Sequence, residues 1–153
     1  MSVCRVRNRL PSTEVEAAVS DNENVDPSLV SDLNTSVEDL KDDMRQFVAE
    51  RDWRQFHSPK NLSMSIAIEA AELMEHFQWL TQSQSRQLDA ASIEMVGEEL
   101  ADVLCYALAM ANELELDIAK TVREKMEKNR SKYPAEQFRG RYGQKDLERQ
   151  ENQ

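Results

Sequence analysis

The chain has 153 residues, 31% charged and 40% hydrophobic, enough for one domain with a real core and ordinary for a soluble helical protein. Three glycines and four prolines are too few for a turn-rich β fold. A formal net charge of −10 argues against a binder of nucleic-acid polymers, whose affinity rests on Lys and Arg neutralising phosphates, but leaves room for a small anionic ligand that arrives with its own metal ions.

Residues 1–34 lack periodicity and are rich in Ser, Asp, Asn and Glu, the composition of a disordered tail. The first ten, MSVCRVRNRL, hold three arginines and no acid. So short a stretch is a weak organellar-targeting signal set against an expected cytosolic location. Two cysteines without a framework fit a reducing compartment, and no apolar run has the length of a membrane span.

The folded domain is expected over 35–134. Ser36, with Asp39 three residues on, is an N-cap candidate. Val37, Leu40, Met44, Phe47 and Val48 recur at helical spacing, which predicts a first helix over 37–51. The break RDWRQFHSPKN follows. Ser58-Pro59 then starts a second helix, with proline at its first position. The stripe Leu62, Ile66, Leu73 and Phe77 carries that helix to residue 80. Residues 81–91 are polar and read as a loop. A third helix runs from near Ser92 to Glu115. A fourth, with Ile118, Val122 and Met126, runs from near Asp117 to the stop at Pro134, where proline cannot continue it. Residues 135–153 form a polar tail that packs locally through Phe138 and Tyr142.

Short connections between such helices favour antiparallel neighbours, so the expected fold is all-α, a bundle of four to five helices. The third helix is too apolar to face water. From Leu100 to Ala111 only Asp102 and Tyr106 are strongly polar. Its apolar residues wrap most of the helix rather than forming one stripe, which puts it at the centre of an oligomer.

Into these apolar helices the sequence sets two acid pairs, Glu69 with Glu72 and Glu99 with Asp102. A spacing of three places each pair on one helix face. Two such helices can converge on a hard cation such as Mg²⁺, which takes oxygen ligands and shares them with substrate phosphates. Most helical acids simply form a solvated face, and Glu75, Glu98, Glu113 and Glu115 read that way. Asp102, flanked by apolar residues, does not. A di-iron bundle would use Glu-x-x-His pairs, and neither His57 nor His76 has a Glu three residues before it. No glycine-rich phosphate loop exists, so bound phosphates would be held by metal and basic side chains. Lys125 and Asn129 share a face of the fourth helix ahead of Arg130, Lys132 and Tyr133. They can reach anionic oxygens or merely complement the helix dipole. Trp53, Phe56 and His57 precede the second helix and Trp79 ends it. They can stack on a base or serve packing alone.

Taken together, Glu69-x-x-Glu72 followed after 26 residues (73–98) by Glu99-x-x-Asp102 resembles the signature of the all-α nucleoside triphosphate pyrophosphatases, the MazG-like superfamily. The segments RDWRQFHSPKNL, EAAELMEHFQW, EELADVLCY and KMEKNRSKYP are similar to its dCTP pyrophosphatase branch, and the resemblance spans 37–134. It implies Mg²⁺-dependent hydrolysis of a nucleoside triphosphate to the monophosphate and pyrophosphate. By resemblance Glu69, Glu72, Glu99 and Asp102 are the catalytic, metal-binding acids. Trp53, Arg54, Gln55, Phe56, His57, Trp79 and Tyr106 would form the nucleotide pocket, and Lys125 and Asn129 would lie near the phosphates. A homotetramer, a dimer of dimers, is implied as well. Two positions depart from the pattern. Ile68 stands where the superfamily usually has an acid, a loss common in the branch, and Met44 stands where close relatives can carry a pocket histidine. The competing expectations are a pyrophosphatase with another base preference, such as dUTP or a damaged nucleotide, and a helical oligomerisation or adaptor module without catalysis.

Overall fold

Each long helix begins where a short polar side chain can take up the free N–H groups of a first turn. In a computed structural model of the chain, which describes residues 30–141, Ser36 caps α1 (Val37–Glu50). The Ser36 hydroxyl accepts from the Asp39 N–H and the Asp39 carboxylate accepts from the Ser36 N–H, a reciprocal capping box. Ser58 caps α2 (Pro59–Glu75), with proline at its first position. Asp89 caps α3 (Ala90–Glu113) by accepting from the Ser92 N–H at 2.8 Å. Asp117 does the same for α4 (Ile118–Lys132) through Lys120. One further turn, α5 (Ala135–Phe138), follows Pro134, and its Phe138 ring meets Tyr133 edge to face at 5.3 Å. The expectations for residues 1–29 and for Tyr142 onward lie outside the described residues. The chain divides into Met1–Thr35 and Ser36–Gln153, the break falling just before the Ser36 cap.

Among the described residues all regular structure is helical, as expected. Two boundaries and two loops differ from the sequence reading. α2 ends at Glu75 rather than near residue 80, because the N–H groups of Phe77 and Gln78 both turn back to the Met74 carbonyl. Phe77 keeps the apolar spacing while the backbone tightens out of the helix. α3 starts at Ala90 because the cap is Asp89, not a residue near Ser92. The stretches read as loops contain single 3-10 turns at Trp53–Phe56 and Gln84–Arg86.

α3 is the spine, 24 residues and so about 36 Å long. α1 lies along its C-terminal half. There the Asn112 amide donates to the Lys41 carbonyl at 2.8 Å and accepts from Arg45 at 3.2 Å. α2 lies along the N-terminal part, with Glu69 beside Glu99 and Asp102 and His76 near Ser92 and Val96. Residue numbers fall along α3 as they rise along α2, so the two run antiparallel. α4 leaves α3 through the turn closed by Leu116 N–H donating to the Ala111 carbonyl at 2.8 Å, and it shares no extensive packing with α1, α2 or α3.

Among the described residues the buried apolar side chains are Leu62, Ala109 and Ala111. The third helix, expected to be buried on several sides, has Leu100 and Leu104 46% and 54% exposed in the single chain. Ile93, Gly97, Leu100 and Leu104 follow one another at the alternating four- and three-residue spacing of a helix–helix seam. Apart from its chain neighbours and the backbone of its own helix, nothing lies within 4 Å of where a Gly97 Cβ would stand. Among the described residues no helix is long and apolar enough to cross a membrane.

Candidate functional site

The antiparallel register of α2 and α3 slots Glu69 against Glu99 and Asp102. One carboxylate oxygen from each lies within 4.8 Å of the other two. Glu69 and Glu99 are half-buried and Asp102 is exposed. Four acids were expected to converge and three do. Glu72 is exposed and lies about 4.5 Å further along the α2 axis, outside the triad but close enough for its charge to act on Glu69. Among the described residues none of the four enters an ion pair with Lys or Arg. Partial burial, and then repulsion from Glu72, Asp102 and Glu99, pushes the Glu69 carboxyl above its ordinary range. Several carboxylate oxygens at this spacing with no protein cation form a donor set suited to a hard divalent cation.

Asp102 faces two ways. It also borders a cavity of about 540 Å³ walled by Met44 and Phe47 of α1, Trp53, Phe56 and His57, Asn61, Leu62 and Ser65 of α2, and Cys105 and Tyr106 of α3. Asp52, at φ 51°, makes the sharp turn that starts the aromatic segment, a conformation Asp tolerates better than most residues. Gln55 then donates to the Asp52 carbonyl and carboxylate at 3.0 and 3.2 Å. Phe47 meets Trp53 edge to face at 5.8 Å, and Trp53 stacks on His57 at 6.4 Å. His57 Nδ1 lies 2.8 Å from the Trp53 carbonyl. A carbonyl only accepts, so the proton sits on Nδ1. Asn61 donates to the Phe56 carbonyl at 3.0 Å and ties the segment to α2.

The structure thus joins Trp53, Phe56, His57 and Tyr106 to the acid triad. It does not bring in the other expected residues. Gln55 is engaged within its own turn. Arg54 approaches Glu113 at 3.9 Å and lines a neighbouring cavity of about 610 Å³, from which the first is divided by Met44 and His57, residues common to both walls. Trp79 is 87% exposed beyond the end of α2. Lys125 and Asn129 are carried away on α4. Sequence reasoning missed Phe47, Asn61, Ser65 and Cys105. A signal for two of them existed: Asn61, Ser65 and Glu69 recur every four residues and make one polar line leading to the acids. Burial, and then Asp102, raises the Cys105 thiol, so it meets the cavity as a neutral, weakly polar wall.

Comparison with known proteins gives three concordant findings. The MazG-like family model matches residues 64–145, a span that holds both acid pairs and begins after the aromatic segment. Rat dCTP pyrophosphatase 1 is 37% identical over 110 residues, 69% of this chain and 63% of the relative. The human dCTP pyrophosphatase 1 is 40% identical over 102 residues, 65% and 60% respectively. The match therefore spans less than two thirds of the length of these curated relatives. The crystal structure of a pyrophosphatase from Archaeoglobus fulgidus superposes with a TM-score of 0.62 at 40% identity, over 69% of this chain and 98% of that one.

Proposed function

The chain belongs to the MazG-like family, and on that premise we propose that it is an Mg²⁺-dependent enzyme that hydrolyses a nucleoside triphosphate to the monophosphate and pyrophosphate. Its preferred substrates are dCTP and modified analogues such as 5-methyl-dCTP. The observation that carries this reading is the continuity of two unlike surfaces: an acid triad within 4.8 Å opens through Asp102 into an aromatic-walled cavity of about 540 Å³, within the size range of small-molecule sites.

Glu69, Glu99 and Asp102, with Glu72 a turn away, would hold the metal. When bound, Mg²⁺ supplies Lewis acidity toward phosphoryl oxygens and lowers the pKa of bound water. The chain's own residues do the rest. The acids exclude a bare polyanion, so only the metal-neutralised triphosphate is accepted. Phe47, Trp53, Phe56 and Tyr106 offer ring faces and edges to a base. His57 has its Nδ1 engaged by the Trp53 carbonyl, which leaves Nε2 as the ring nitrogen able to meet the edge of a base.

The same reading has the chain working in the cytosol as a homo-oligomer, a tetramer, sealed along the exposed Ile93, Leu100 and Leu104 seam. Neither a nucleic-acid polymer nor a membrane is its partner. The test is pyrophosphate release from a panel of dNTPs and NTPs, with Mg²⁺ and with EDTA. Metal-dependent release that is strongest with dCTP, and weaker with dUTP, is the expected result. Release strongest with another triphosphate would keep the chemistry and move the base preference. Release from none would leave a helical oligomerisation module as the better account.

A further inference from the structure

The larger of the two cavities beside α1 has no part in the reaction described so far. It encloses about 610 Å³, within the range of small-molecule sites. The order of residues along α3 places it beyond the aromatic cavity, on the side away from the acids. Asp102 belongs to the acid triad, Cys105 and Tyr106 line the aromatic cavity, and Ala109, Asn112 and Glu113 line the larger one. Those last three stand about 10 to 16 Å along the helix axis from Asp102. A nucleotide with its phosphates at the acids therefore points its base at the wall between the two cavities.

That wall is Met44 and His57, the residues common to both linings, and its halves are unlike. His57 is held: its Nδ1 lies 2.8 Å from the Trp53 carbonyl and its ring stacks on Trp53. Met44 is half-buried, and its unbranched thioether chain turns about three bonds and adapts to irregular gaps. One half of the partition is fixed and the other yields. Beyond it, Val48, Ala49 and Ala109 give the larger cavity an apolar flank. Arg54 and Glu113, with Nε and Oε2 3.9 Å apart, give it a charged rim. We infer that Met44 is a specificity-determining residue: by turning aside it admits into the larger cavity a base side chain several atoms long, apolar at its root and polar at its tip. This rests on the pyrophosphatase reading and extends its substrates from methyl-sized modification to nucleoside triphosphates with a long base substituent. The reaction is unchanged: one water is consumed, and the extended monophosphate and pyrophosphate are released.

The test compares dCTP with 5-(3-aminoallyl)-dCTP in steady-state pyrophosphate release with Mg²⁺. The wild type should turn over the extended substrate with a kcat/KM within about 10-fold of that for dCTP. Ala49→Phe, at an exposed position of α1, sets a ring in the larger cavity. It should lower kcat/KM for the extended substrate by about 10-fold or more, chiefly through KM, and leave dCTP unchanged. Leu116→Phe, at a position 39% exposed on the turn after α3, repeats the test from another wall. Met44→Ile stiffens the partition, because a β-branched side chain is restricted at χ1, and Met44→Ala opens it. The ratio of extended-substrate to dCTP turnover should fall in the first and rise in the second, whatever either does to dCTP alone. Wild-type discrimination beyond that 10-fold limit, equal losses on both substrates in the two phenylalanine variants, or a ratio unmoved by both Met44 variants would each overturn the inference, while dCTP turnover left the pyrophosphatase reading standing. No pyrophosphate from either substrate would strike that reading instead.

Discussion

Asp89 and Glu69 are the same functional group in opposite circumstances. At the head of α3, the hydroxyl and N–H of Ser92 hold Asp89 below the usual carboxylate range. Asp39 is held down in the same way by the N–H and hydroxyl of Ser36. On α2, partial burial and three neighbouring acids push Glu69 the other way. The acids that build helices meet donors within three residues of themselves. The acids of the triad have none, and their charge is left to be met from outside the chain. A carboxylate's role can therefore be told from whether its own neighbourhood satisfies it.

The sharpest way to break this contrast is to remove a triad charge. Glu99→Gln or Asp102→Asn should lower metal-dependent pyrophosphate release by about 100-fold or more, with the helical circular dichroism signal unchanged. Retained turnover in either would mean the triad is only a surface feature. Trp53→Ala leaves the acids intact and removes a ring from the cavity wall. It should raise KM by about 10-fold, the loss of roughly one stacking contact, while kcat changes less, as steady-state kinetics across the dNTP panel would report. An equal loss in kcat would place Trp53 in positioning the phosphates rather than in holding the base.

The smallest effect is in stability against pH. Asp39 and Asp89 have folded pKa values below their unfolded ones, so their contribution is present at neutral pH and is lost as pH falls through the folded values. Glu69 has a raised folded pKa, so the folded state holds its proton more tightly than the unfolded chain does. Its contribution favours folding at low pH and is lost as pH rises above the ordinary Glu value of 4.5. Denaturant midpoints of metal-free wild type and Glu69→Gln should therefore diverge on going from about pH 4 to pH 7, with the variant the more stable at neutral pH. Added Mg²⁺ should close the gap for the wild type. Parallel curves would show that Glu69 carries no excess charge burden.

Much of this was legible in the chain. Ser36, Ser58-Pro59 and Pro134 mark their boundaries because capping and proline chemistry are local. Glu69, Glu99 and Asp102 stood out because their spacing puts them on faces adjoining apolar stripes. The end of α2 was not legible, since Phe77 continues the apolar spacing through a backbone that has already turned. Nor was the loss of Glu72 from the triad. Helical spacing assigns a residue to a face, but the stagger between α2 and α3 decides which acids come level, and stagger is a property of the pair. Trp79 shows the same limit: sequence can mark an aromatic residue near an acidic helix without saying whether it turns toward the acids of its own chain.

The fully buried apolar side chains among the described residues, Leu62, Ala109 and Ala111, have a consequence for how the protein would behave in a cell. Ordering a residue's backbone costs on the order of 1–2 kcal/mol, and so small a set of fully buried side chains offsets little of that across α1 to α4. Under the assembly proposed above, the missing interior lies between copies, and stability becomes a function of how many copies are present. Dilution then acts as a denaturant, and the protein's own abundance sets whether it is folded. A cell making too little of it would hold unfolded chains rather than a dilute enzyme.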